Sequence, residues 1–173
     1  MKLIFATDIN FAIGLDGDML FSIPEDLARF RRFTEGNIVV MGRKTLESLP
    51  NSAPLANRTN IVVSSQNDSL PEGVIQVKSL DDLAETIDAV NENKDKEVFL
   101  IGGGALVADL LEQVNEAYIT MYHKDYRKAD TWIPNLEADP AWRLESESEK
   151  FPFEDSYYTF RLYKRIEKAN SKG

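Results

Sequence analysis

No cysteine occurs among the 173 residues, and histidine occurs once, as His123. The first absence excludes disulfides, thiol catalysis and thiolate-bound metal. The second removes the means of building a histidine-rich metal cage or a serine–histidine–acid triad within the chain, so no metal site is expected. Flanked by Tyr122 and Lys124, His123 reads as a surface or strand-end residue. Positive charge is also in short supply. The 20 Lys and Arg against 29 Asp and Glu leave a net charge of -9, which argues against general nucleic-acid or anionic-membrane binding but permits a local basic pocket. No apolar run is long enough to span a bilayer. Met1 to Ile4 leads straight into a strand-like segment and lacks the small-residue cleavage site of a signal peptide. The expectation is a soluble, cytoplasmic, monomeric protein that binds neither nucleic acid nor membrane.

What remains is an ordinary globular composition, 43% hydrophobic and 28% charged. The length suits one domain, read here as residues 1–166 with a frayed tail over 167–173. Leu3 to Ala6, Asn37 to Met41, Thr59 to Val63, Val74 to Lys78 and Glu97 to Ile101 are short β-branched or apolar runs of the kind found in buried strands. Helical patterns lie between them. Ser79 with Asp82 caps a helix over Leu80 to Asn91 whose Leu80, Leu83, Ile87 and Val90 form one face, and Ala105 to Gln113 is a second helix. Ala117 to Tyr122 alternates as a strand. Trp142 to Glu149 and Tyr157 to Ile166 read as antiparallel strands joined through Pro152 and the Glu154–Asp155 turn. The fold class is therefore α/β: one domain with a mixed, mostly parallel central sheet, an antiparallel C-terminal edge and flanking helices.

In an open sheet of this kind the ligand crevice lies beyond the carboxyl ends of the strands. Gly42-Arg43-Lys44-Thr45 follows one strand and opens a brief helix at Leu46 to Leu49, with free backbone N–H groups and two cations suited to an anion. Such a turn is also common on solvated surfaces. Ser64 and Ser65 end the next strand. Gly102-Gly103-Gly104 follows the most hydrophobic strand and lets a phosphate approach the backbone, although neither the dinucleotide fingerprint nor a P-loop is complete. Three phosphate-friendly turns on one rim are harder to dismiss than any one of them.

The stretch from Asp18 to Phe33 supplies the chemistry. After a mobile polar loop with two glycines and two aspartates at 14–18, Ser22 and Glu25 have capping-box spacing and Pro24 suits a first helical turn. Leu27, Phe30 and Phe33 recur at helical spacing, and Gly36 is a stop signal. Asp26 then stands beside an apolar wall. A first-turn aspartate that merely complements the helix dipole is the plainer reading.

Taken in order, Ala6, Ile13-Gly14, Met19, Ile23-Pro24-Glu25-Asp26-Leu27, Met41 to Thr45 with Glu47-Ser48, Arg58, Asn60 to Ser65, Ile101 to Gly104 and Asp130-Thr131 resemble dihydrofolate reductase from about residue 3 to 163. The resemblance implies reduction of 7,8-dihydrofolate to tetrahydrofolate by NADPH, with dihydrofolate and antifolate-like small molecules as ligands. It implies that Asp26 holds the pterin and favours protonation of its imine nitrogen, that Thr120 anchors Asp26, and that Met19 and Phe21 belong to the catalytic loop. Ile4, Phe5, Leu27, Phe30, Leu49 and Leu55 would wall the substrate, and Arg58 would clamp its α-carboxylate. On the cofactor side, Ala6, Ile13, Gly14 and Asp18 would frame the nicotinamide, and the 14–19 loop would close over it. Gly42, Lys44, Thr45, Gly103 and Gly104 would cradle the pyrophosphate, with Ile101, Gly102, Ala105 and Leu106 beside it. Arg43, Ser64, Ser65 and Lys78 would take the 2′-phosphate.

Four positions depart from the family's usual pattern. Leu20-Phe21 replaces Pro-Trp, so no indole N–H is available there. Ala56-Asn57 precedes Arg58 in place of Pro-Gly, Ala105 replaces an Arg, and Val107 replaces a Tyr. Two other readings share part of the pattern: a same-fold pyrimidine reductase of riboflavin synthesis, and a non-catalytic nucleotide-binding module. The Pro-Glu-Asp helix start and Arg58 discriminate against both.

Overall fold

The computed structural model describes residues 1–67 and 69–167. Of the tail expected over 167–173, only Glu167 is described, exposed and outside any strand, and 168–173 lie outside the described residues. Strand β1 (Lys2–Thr7) occupies the middle of the main sheet, parallel to both β7 (Val98–Gly102) and β8 (Glu116–Tyr122). Beyond β7 follow β4 (Ile38–Gly42), β5 (Thr59–Val63) and β6 (Val74–Val77), all parallel. On the other side β12 (Ser156–Arg165) pairs antiparallel with β8, and β10 (Trp142–Glu147) with β12. The order is β10-β12-β8-β1-β7-β4-β5-β6. A further short strand, β11 (Phe151–Phe153), folds back on β12 where only a connection was expected, and the turn between them carries Glu154 at positive φ.

Because neighbours along a strand point to opposite faces, β1 divides its apolar residues between two cores. Leu3 joins Val40, Leu100, Ile119 and Val107 on the face covered by α3 (Leu80–Val90) and α4 (Gly104–Leu110). Ile4 joins Val39, Met41, Val62 and Phe99 on the face covered by α1 (Pro24–Thr34) and α2 (Arg43–Ser48), against which Phe30, Phe33, Leu49 and Leu55 pack.

Ser79 caps α3 as its spacing predicts, its side chain accepting from the Asp82 N–H at 3.1 Å. Only Leu83 of the expected face is fully buried, and Leu80 is exposed at the first turn. At α1 the expected capping box is absent. Ile23, extended and almost fully buried, is the residue before the helix, so Ser22 stands one position too early to cap it. Helix α2 starts at Arg43 rather than Leu46, and α4 stops at Leu110 with a 3₁₀ turn over Leu111–Gln113.

The 14–18 segment also differs from expectation. It is a hairpin, with β2 (Ala12–Leu15) and β3 (Asp18–Met19) joined by Asp16 and Gly17, both at positive φ, the geometry that two-residue hairpin turns favour. Strand β9 (Thr131–Trp132) pairs with β2 to complete a small second sheet, where a returning loop was expected. The local pattern of glycine and aspartate gave the turn. The partner that makes it a sheet lies more than a hundred residues away.

Candidate active site

Asp26 sits in the first turn of α1, its amide donating to Ile23 O at 3.0 Å. Across the gap to the sheet, Thr120 Oγ1 on β8 donates to Asp26 Oδ1 at 2.5 Å. Thr120 is buried and Asp26 half-buried. Burial pushes the Asp26 carboxyl above its ordinary range, opposed in part by the Thr120 hydrogen bond and by the Arg29 charge. One carboxylate oxygen is thus engaged, which leaves Oδ2 and the remaining lone pair of Oδ1 for a donor edge.

The residues read as an apolar wall do not all pack together. Phe30, Leu49 and Leu55 gather on the α1 face together with Ile4, whereas Phe5 packs with the opposite core by strand alternation. Leu27, next to Asp26 in the chain, is 47% exposed, and Met19 on the hairpin is 56% exposed. Phe21 is drawn into an aromatic cluster, its ring centroid 5.1 Å from Tyr122 and 5.8 Å from Tyr126.

Arg58 is oriented by two bonds, Nε to Thr34 Oγ1 at 3.1 Å and a terminal nitrogen to Ala56 O at 2.7 Å. The connection carrying it is closed by Asn60, a residue the sequence pattern did not single out for a role. Its amide exchanges bonds with Leu55 N and Leu55 O, both at 2.9 Å, and donates to Arg58 O at 3.1 Å.

The phosphate-friendly turns converge. A Cβ built at Gly42 would lie 3.8 Å from Gly103 N, one built at Gly102 would run into the Thr45 hydroxyl, and one at Gly104 into the Trp132 carbonyl. Glycine is required at the last two by the close approach of Thr45 and Trp132, whereas a Cβ at Gly42 or Gly103 would meet nothing nearer than 3.8 Å, which leaves the backbone there open to a phosphate. The residues present therefore fit a dinucleotide. Arg43 reaches from α2 to Glu47 Oε1 at 2.9 Å and to Gln66 Oε1 at 3.2 Å. Gln66 itself is held by Gln76 Nε2, which also binds Ser64 O. Lys78 Nζ donates to Asn67 Oδ1 at 2.8 Å, so the predicted 2′-phosphate group is brought to the β5 and β6 ends. Gln66 was missed because its relevance is a contact with Arg43, invisible in the local pattern. A cavity of about 470 Å³ opens between the hairpin tip and α2, lined by Gly17, Asp18, Lys44, Glu47 and Ser48. Ala6, one residue before the end of β1, lies beside Thr120, its register partner, and Ile13 and Gly14 lie on β2. Ser65, Ile101, Ala105 and Leu106 flank the same turns in the chain.

Opposite the hairpin, Asp130 accepts from Asp16 N at 3.0 Å and from Thr131 Oγ1 at 2.9 Å, tying the two-residue turn to β9. A half-buried carboxylate on the first turn of a helix, with glycine turns at the carboxyl ends of parallel strands, is an arrangement that suits a nucleotide-dependent reductase of the α/β class. A family profile described as dihydrofolate reductase matches residues 1–165. The chain belongs to the dihydrofolate reductase family. It is 35% identical to the dihydrofolate reductase of Bacillus subtilis (strain 168), with 100% of this chain and 99% of that protein covered. It is 39% identical to that of Haemophilus influenzae over 93% of this chain and 94% of the other. Among solved structures, dihydrofolate reductase from Enterococcus faecalis complexed with NADP(H) and RAB-propyl superimposes with a TM-score of 0.80 at 28% identity, covering 96% of each chain.

Proposed function

We infer that this chain reduces 7,8-dihydrofolate to tetrahydrofolate with NADPH, and that Asp26 is the group that engages the pterin. The observation that carries the assignment is the Asp26–Thr120 hydrogen bond in a half-buried site. Thr120 fixes the carboxylate plane, so the free oxygen accepts N–H donors from the amidine-like edge of the ring in a charge-assisted bond. Its raised affinity for a proton keeps a proton source close to the pterin nearer to neutral pH than an ordinary aspartate would.

NADPH supplies the hydride when bound. The chain's part is alignment and exclusion of water. Gly42, Thr45 and Gly102 to Gly104 would hold the pyrophosphate. Arg43, Ser64, Ser65 and Lys78, with Gln66 bracing Arg43, would select the 2′-phosphate. Phe30, Leu49 and Leu55 would wall the substrate, and Arg58, already oriented by Thr34 and Ala56, would present its remaining N–H groups to a substrate carboxylate. Antifolate-like molecules with the same amidine edge would compete at Asp26.

The assay is direct. Purified protein mixed with NADPH and dihydrofolate is followed by the loss of the reduced-nicotinamide absorbance. Turnover that requires both reactants is expected, and its absence would remove the assignment.

A further inference from the structure

Asp26 and Arg29 lie three residues apart on α1, so they share a helix face. Beneath them Thr120 on β8 and Phe160 on β12 are direct partners across the antiparallel ladder, and side chains of such a pair share a sheet face. The two pairs meet. Thr120 holds the Asp26 carboxylate, and the Arg29 guanidinium carbon lies 4.2 Å from the centroid of the Phe160 ring and 5.2 Å from that of Phe33. Arg29 is thus a half-buried cation lying over two rings, with few rotamers left to it.

We propose that Arg29 is a positioning residue for the reaction: seated on Phe160 and Phe33, its permanent charge sets the electrostatic field at Asp26 and with it the pH range in which the enzyme works. This rests on the assignment of Asp26 as the pterin-binding group. Several charged or titratable groups surround the pair. Glu25 precedes Asp26 on α1, Tyr158 on β12 interacts with both Glu25 and Asp26, and Arg32 and Tyr118 border Arg29. Within that set Arg29 is the cation acting on Asp26, in opposition to burial. Burial alone would hold a proton on the carboxyl to higher pH. The adjacent guanidinium counters this, and because it sits on rings rather than in open solvent, its effect is screened less than that of a surface charge.

The experiment compares Arg29→Met, Arg29→Gln and Arg29→Lys with the parent protein. The Asp26 carboxyl is titrated by ¹³C NMR without ligands, and the rate of hydride transfer is measured against pH. Arg29→Met and Arg29→Gln are expected to move both midpoints upward by about half to one pH unit, with NADPH affinity unchanged, and Arg29→Lys to restore most of the shift. In an Asp26→Asn background the Arg29→Met effect on the rate profile should vanish. Unmoved midpoints in both neutral variants, or an Arg29→Lys shift as large as that of Arg29→Met, would overturn the proposal. A parent protein that fails to turn over NADPH and dihydrofolate would defeat the assignment of function instead, and the ligand-free titration would still judge Arg29.

Discussion

Asp26 carries opposite consequences for stability and for turnover. Its folded-state pKa is raised, first by burial. The native state therefore binds the proton more tightly than the unfolded chain, and stability falls as pH rises from the ordinary carboxylate range through the folded value, staying lower beyond it. Asp26→Asn removes that charge while its carbonyl can still accept from Thr120. The variant should melt roughly 2–4 °C higher at neutral pH, the shift that about 1 kcal/mol gives in a domain of this size, and should show no gain at pH near 3, where the parent carboxyl is already protonated. Turnover of dihydrofolate should meanwhile fall about 10²- to 10³-fold with NADPH binding intact, so calorimetry, a rate assay and an NADPH titration on one variant check both halves. Arg43 is tested by cofactor choice. Arg43→Ala should weaken NADPH by about tenfold or more and NADH far less in a fluorescence titration, and equal losses would place the 2′-phosphate elsewhere. Asp26 and Arg43 were legible as candidates because each sits inside a short local pattern, although the family resemblance and not the pattern supplied their roles. Gln66, which braces Arg43 from beyond the β5 end, was not, since its meaning is a contact between segments.

Among the elements, the connection from Leu55 to Arg58 has no regular structure of its own beyond a turn, and Asn60 substitutes for it. Its side-chain amide closes the Leu55 N–H and C=O and the Arg58 carbonyl, and the residue is 2% exposed. Asn60→Ala leaves those partly buried groups unpaired and opens a gap at a buried position, so a loss of about 1–3 kcal/mol is expected in denaturant melts. Because the same loop carries Leu55 and Arg58, KM for dihydrofolate should rise about tenfold while NADPH affinity holds. An unchanged KM would mean that the loop keeps its shape through the core contacts of Leu55. The elements themselves were largely readable. The parallel strands appear as apolar runs, and Ser79 announces α3 by a bond made within three residues. What escaped reading depends on distant partners. The 14–18 segment looked like a loop because its second sheet is completed by Thr131 and Trp132, and Phe151–Phe153 looked like a connection because Pro152 obscures a strand on an edge. At α1 the sequence motif misled by one position: Ser22 has the right chemistry, but the buried Ile23 marks the helix start.

Over the whole molecule, the question is whether the small sheet that borders the site folds as part of one unit. Its root is embedded in the main core, since Phe11 and Ala12 are fully buried and Phe11 joins the cluster on the α3 and α4 face. The buried Asp8 carboxylate accepts from the backbone N–H groups of Asn10, Ala12 and Tyr126, which stitches the end of β1 to β2 and to the segment after β8. Gly104 lies against the Trp132 carbonyl, so β9 is also packed on the start of α4. These ties argue that residues 1–166 unfold as a single cooperative domain, because opening the small sheet would strip Phe11 from the core and leave a buried carboxylate without its donors. The two tryptophans provide the test, as Trp132 reports on the small sheet and is 49% exposed whereas Trp142 on β10 is 5% exposed. Trp142→Phe leaves Trp132 as sole reporter and forfeits no hydrogen bond, for the Trp142 Nε1 is buried without a partner among the described residues. Trp132→Phe leaves Trp142 alone. In urea, the fluorescence transition of each variant should coincide with its own far-UV circular dichroism transition. If Trp132 instead responds at distinctly lower urea than the dichroism of the same variant, the hairpin opens independently of the main sheet, and the polar segment bordering the cofactor rim would be a separately melting flap rather than an extension of the core.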